Sequence, residues 1–225
     1  MGMTAPRPDR HRRAVAEDLG RLRVTIAEMG ELVDQAILRG MAGLIERDVD
    51  ICRAVVAGDA TINGLQREVR DRCLRILASG PLSSELRETM SLLDMSSELE
   101  RMGDHCVSIA KIAHELADLP ERRPSADLSI MGRACRAQVR DMLTAVVARD
   151  ACEARRVARR DDRVDRIYRR VVDDLIQAMS SDVQTVYRAI KLVFIARHLE
   201  RIADRVTNIA EDLVFVETGL VEELG

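Results

Sequence analysis

The chain has 225 residues, with 47% hydrophobic, 32% charged and only 2% aromatic residues, and no tryptophan. Strand-rich folds draw on aromatic and β-branched residues, whereas Ala, Leu, Arg, Glu and Met dominate here and favour helix. A net charge of −3 offers no electrostatic footprint for nucleic acid. The lack of an apolar leader or of 18 consecutive apolar residues argues against a signal peptide and a spanning helix, so a cytoplasmic location is expected.

In chain order, the basic stretch from Arg7 to Arg13 reads as a solvated helix start. Three helices are expected over 9–47, 49–79 and 83–118. The second carries Asp59 and Asn63 and ends before Gly80-Pro81. The third opens near Glu85-Leu86-Arg87 and carries the seam Leu92, Met95, Leu99, Met102, Cys106, Ile109, Ala113, Leu116. Its steps of three and four mark an apolar stripe on a helix packed nearly parallel or antiparallel to its neighbours. A Pro-flanked segment, Leu119 to Pro124, follows. Three more helices are expected over 125–149, 151–179 and 182–218. Asp150 and Glu153 have capping-box spacing, with Asp in place of the usual Ser or Thr. The last helix repeats the stripe through Leu192, Ile195, Leu199, Ile202, Val206, Ile209, Leu213 and Val216, and Gly219 is a plausible stop.

The second set of helices repeats the first. Leu199-Glu200-Arg201-Ile202-Ala203-Asp204 matches Leu99-Glu100-Arg101-Met102-Gly103-Asp104 at an offset of 100, continuing through Ile209-Ala210 and Ile109-Ala110. Upstream the offset is 102: Asp150 matches Asp48, Asp161 matches Asp59, and Val164-Asp165 matches Ile62-Asn63. The change falls between Gly80-Pro81 and Ser180-Ser181, which marks a loop. The expected fold is all-α: two tandem three-helix bundles, six long helices, with domains 1–120 and 121–225.

Glu200 and Asp204 are four residues apart and share a helix face beside the apolar seam. Glu100 and Asp104 do the same, and Asp161 and Asp165 repeat the spacing on the preceding helix, in line with Val157, Tyr168 and Val172. Like charges at this spacing oppose each other, so partly buried clusters need protons, arginines or a cation. An all-oxygen set suits Mg²⁺, Mn²⁺, Ca²⁺ or iron, and neutralisation by arginine is the rival reading. There is no H-E-x-x-H, di-iron E-x-x-H, phosphate-loop or dinucleotide signature. His105, beside Asp104, reads as a capped or exposed histidine, or else as a metal ligand or a neighbour of one. The five cysteines read as small buried hydrophobes.

The doubled L-E-R-[IM]-x-D, each copy ending in Ile-Ala, resembles the PhoU family of phosphate-transport accessory proteins. The Asp161–Asp165 pair and Glu85-Leu86-Arg87 fit the same pattern, and the likeness runs from about Leu19 to Gly219. It implies two similar three-helix bundles in one elongated molecule, as a homodimer. It implies metal ions, among them iron, zinc, manganese or magnesium, on Asp161, Asp165, Glu200 and Asp204 in the second copy and on Asp59, Glu100 and Asp104 in the first. It also implies a negative regulator of phosphate uptake and of the phosphate-starvation response, without catalytic residues. Its expected partners are the ATPase subunit of the phosphate ABC transporter and a sensor histidine kinase, which would bring it to the membrane. Asn63, Ala203 and Arg205 depart from the pattern, so the two sites are not expected to load alike. Because four carboxylates in the second copy face three and the Asn63 amide in the first, the second is expected to hold metal more tightly. A metal-free helical adaptor and a carboxylate-cluster metalloenzyme are the alternative functions.

Overall fold

A computed structural model describes residues 8–120 and 126–225. Arg7 and Glu121 to Pro124 of the segments noted above lie outside the described residues. In the first half, α1 (Pro8–Glu46), α2 (Val49–Ala78) and α3 (Ser83–Ala117) form an up-down-up bundle. In the second, α4 (Ala126–Ala148), α5 (Ala151–Ala158), α6 (Asp161–Ser181) and α7 (Val186–Thr218) form its counterpart.

The seam residues of α3 are all buried, as are those of α7 except half-buried Val216. The two inter-helix turns that open α2 and α5 are alike. Arg47 and Arg149 adopt left-handed backbone, with φ of 59° and 56°. Asp48 and Asp150 then cap the next helix, each accepting from two backbone N–H groups. Glu153 does not complete a capping box but turns to Arg156 and Arg160. Gly219 ends α7 at φ 75°, donating its N–H to the Phe215 carbonyl at 2.9 Å.

The predicted helix 151–179 is interrupted at Arg159–Arg160, which form a turn between α5 and α6. Its counterpart α2 passes unbroken through Gly58. Neither glycine nor proline marks the break; Asp161 and Asp162 instead occupy the first turn of a new helix, where the dipole favours acids. The start of the predicted last helix also differs. Val183–Thr185 form a 3₁₀ turn, whose entry Asp182 caps by accepting from the Gln184 N–H at 2.9 Å.

Equivalent helices join the halves: α1 packs on α4 and α3 on α7. The pairings are reciprocal. A Cβ on Gly30 would sit 2.1 Å from Leu143 Cδ2, and one on Gly132 would sit 2.9 Å from Met41 Cγ. Gly132 and Leu143 are Gly30 and Met41 advanced by 102, so each half offers its glycine to the other's large side chain. This is a pseudo-twofold axis built into one chain, and a single apolar core runs through both halves. Asp34, 6% exposed, accepts two hydrogen bonds from Arg136 across α1–α4, at 2.7 and 2.9 Å. Four cysteines are buried, but Cys152 is exposed, against the sequence expectation.

Candidate metal centre

The α5–α6 break puts Asp161 at the first position of α6, with Asp165 one turn on and Asp204 facing them from α7. One carboxylate oxygen from each lies within 4.8 Å of the other two. Glu200 stands a turn before Asp204, at the edge of this trio. Asp161 Oδ1 and Glu200 Oε2 are buried and accept no hydrogen bond. An unsatisfied buried carboxylate oxygen costs its full desolvation penalty, and a cation bound here would remove that cost. The donor set therefore fits a hard or borderline metal ion.

The electrostatics agree with the geometry. Burial, then the charges of Asp165 and Asp204, push the Asp161 carboxyl up to about 6, and the buried Gln138 amide offsets only part of this. The helix dipole, which favours acids in a first turn by at most about 2 kcal/mol, is outweighed. Glu200 is raised by burial and then by Asp204. Arginines line the rim. Arg201 is 3.3 Å from Asp204, Arg169 is 4.0 Å from Asp165, and Arg197 donates to Glu200 Oε1.

The first half assembles the same positions differently. Asn63 Nδ2 donates to Asp59 Oδ2 at 2.7 Å, while Asp59 Oδ1 is buried and unpartnered. Gly103 lets this carboxylate approach α3, since a Cβ there would lie 3.2 Å from Oδ1. Burial and Asp104 raise both Asp59 and Glu100, yet Asp104 itself is exposed. Among the described residues, three acidic groups converge within 4.8 Å only in the second half.

Arg205 and His105 take roles that spacing did not reveal. Arg205 neither neutralises the second cluster nor points to solvent; it reaches α3, where Nη1 is 3.2 Å from Glu98 Oε2. Asn208 Nδ2 donates to the same oxygen at 3.0 Å. His105 is neither capped nor exposed: its Nδ1 is 3.2 Å from His198 Nδ1 on α7, in a half-buried pair. Burial, then His198, lower the His105 imidazole to about 4. The two contacts are equivalent, because His198 matches Glu98 and Arg205 matches His105 at the offset of 100. Asp212, further along α7, is pushed up to about 8 by burial and then by Asp94, Glu98 and Glu211. The signal for the Arg205 and His105 contacts was the same offset applied between halves rather than within one; the sequence held none for Asp212.

The family model described as "PhoU domain" matches the chain twice, at residues 26–113 and 128–213. The chain is 36% identical over 208 residues to a phosphate-specific transport system accessory protein PhoU homolog of Zymomonas mobilis, covering 92% of this chain and 88% of that protein. It is 30% identical over 210 residues to a PhoU homolog of Clostridium acetobutylicum, covering 92% and 96%. The crystal structure of PhoU from Pseudomonas aeruginosa superposes with a TM-score of 0.88 at 30% identity, covering 91% of this chain and 99% of that one.

Proposed function

The chain belongs to the PhoU family, and on that premise we propose that it regulates phosphate transport, restraining uptake and repressing the phosphate-starvation response. It acts as a binding protein and not as an enzyme, through contacts with the transporter ATPase and a sensor histidine kinase at the cytoplasmic face of the membrane. The observation that carries this reading is the double family match, which coincides with the doubled Glu-Arg-x-x-Asp motif on α3 and α7. A deletion strain should take up phosphate without restraint and express phosphate-starvation genes in phosphate-rich medium. Unchanged uptake and unchanged expression would overturn the reading.

Metal binding is part of the same proposal. Asp161, Asp165, Asp204 and Glu200 would hold an ion in the second half, and Asp59, Glu100 and Asp104 a weaker one in the first. The unpartnered oxygens of Asp161 and Glu200 support this. A bound ion would draw α6 and α7 together and fix the break between α5 and α6. The rim arginines favour a second reading, a metal-free adaptor whose carboxylates they balance. Elemental analysis of protein purified without chelators separates the two.

A further inference from the structure

The segment after α7, residues 219–225, doubles back over the groove between α5 and α7. Arg155 of α5 grips Glu222 with two hydrogen bonds, at 2.8 and 2.6 Å. The Leu224 N–H donates to Glu211 of α7 at 2.9 Å, and its side chain packs on the core. Gly225 reaches Thr207, about three turns back from the end of α7. The groove thus takes an extended Leu-Val-Glu-Glu-Leu strand: one carboxylate on an arginine and one leucine on the apolar floor.

The repeat places the same groove in the first half, between α2 and α3. Arg53 matches Arg155 and Lys111 matches Glu211, while Cys52 and Ala110 match Ala154 and Ala210 on the floor. There the groove is an open cavity of about 420 Å³. Its floor is apolar, formed by buried Cys52 and Ala110 beside exposed Val56. Its rim carries Arg53, Lys111 and His114, together with Glu115, whose charge is paired with Lys191 of α7. Arg53 has the geometry of Arg155 without its occupant: its side chain is 69% exposed, against 23% for Arg155, and it touches only exposed Asp50, at 3.3 Å. Where Glu211 accepts from the Leu224 N–H, Lys111 instead offers a positive charge, which suits a second carboxylate on the occupant.

We propose that the α2–α3 groove docks an extended acidic–apolar segment of another protein, as its counterpart holds residues 219–225. The partner's carboxylate pairs with Arg53 and Lys111, and a leucine-like side chain fills the space over Cys52 and Ala110. The helix backbones on either side are already paired internally, so side chains of the groove hold such a segment. It stands independently of the phosphate reading, since it follows from the repeat alone.

The probe is a labelled peptide of the sequence of residues 217–225, titrated into the full chain by fluorescence anisotropy. Saturable binding is expected, weakened about tenfold or more, or at least about 1.4 kcal/mol, by Arg53→Glu and again by Lys111→Glu, and retained in Arg155→Glu. Arg53 is largely solvated, so the variant should keep its helical circular dichroism and melting temperature. Absence of saturable binding up to about 1 mM would overturn the proposal. So would binding abolished by Arg155→Glu but indifferent to Arg53→Glu. A concentration-dependent dimer by light scattering that Arg53→Glu dissociates would also overturn it, because the occupant would then be a second copy.

Discussion

At the scale of single residues, the interior holds charges that need a specific partner or a proton. Asp212 is the clearest case. Its carboxyl rises from an ordinary 3.8 to about 8, so the folded chain keeps a proton there at neutral pH and the unfolded chain does not. The folded state binds more protons between about pH 4 and pH 8, and stability therefore falls as pH rises through that window. Asp212→Asn should flatten this part of the profile of unfolding free energy against pH; a slope identical to that of the parent chain would show that another group carries it. Asp34 illustrates the other solution. Its two bonds to Arg136 cross the halves, and Arg136→Met strands a buried carboxylate. A loss of about 3–5 kcal/mol is expected in urea denaturation, partly restored by adding Asp34→Asn. Neither residue was legible beforehand, because an acid on a charged helix looks the same whether its partner is across an interface or absent.

Among the elements, the periodic stripes told most. The α3 and α7 seams are the buried faces, since a heptad-like pattern has one way to exclude water. The break between α5 and α6 was not legible, for Arg159-Arg160-Asp161-Asp162 contains no helix breaker and tertiary packing decides the path. The break nonetheless builds the carboxylate trio, because it sets Asp161 at a helix start opposite Asp204. Glycines in α1 distinguish packing from propensity. Gly20 has open space where a Cβ would go, and Gly30 has Leu143. Gly20→Ala should stabilise by roughly 0.5–1 kcal/mol. Gly30→Leu should destabilise by about 1–3 kcal/mol through overpacking at α1–α4. Equal effects of the two changes on the thermal midpoint would contradict a close approach there.

For the whole molecule, the two halves share a plan and differ in chemistry. The repeat, its six-helix scheme and the candidate ligands could be read from spacing. Asn63 singled out the first half as the weaker candidate in advance, but its bond to Asp59 and the exposure of Asp104, which leave that half's acids apart, could not be read there. The difference has a measurable consequence. Manganese at about 100 times its dissociation constant should stabilise the fold by about 2.7 kcal/mol. Asp161→Asn and Asp204→Asn should reduce that gain more than Asp59→Asn does. Loss of the same size from all three variants, read as the metal-induced shift in melting temperature, would show that the halves bind alike.

The α3–α7 contact bears on how such a molecule arises. Two separate identical chains meeting about a twofold axis would place the same pair of residues at both ends of the contact, so any change at one end would be imposed on the other. Here one end joins Glu98 to Arg205 and the other joins His198 to His105. Joining two copies of a gene in tandem lifts that constraint. Each end is then inherited and selected on its own, and a once-symmetric assembly acquires a charged pole and an imidazole pole.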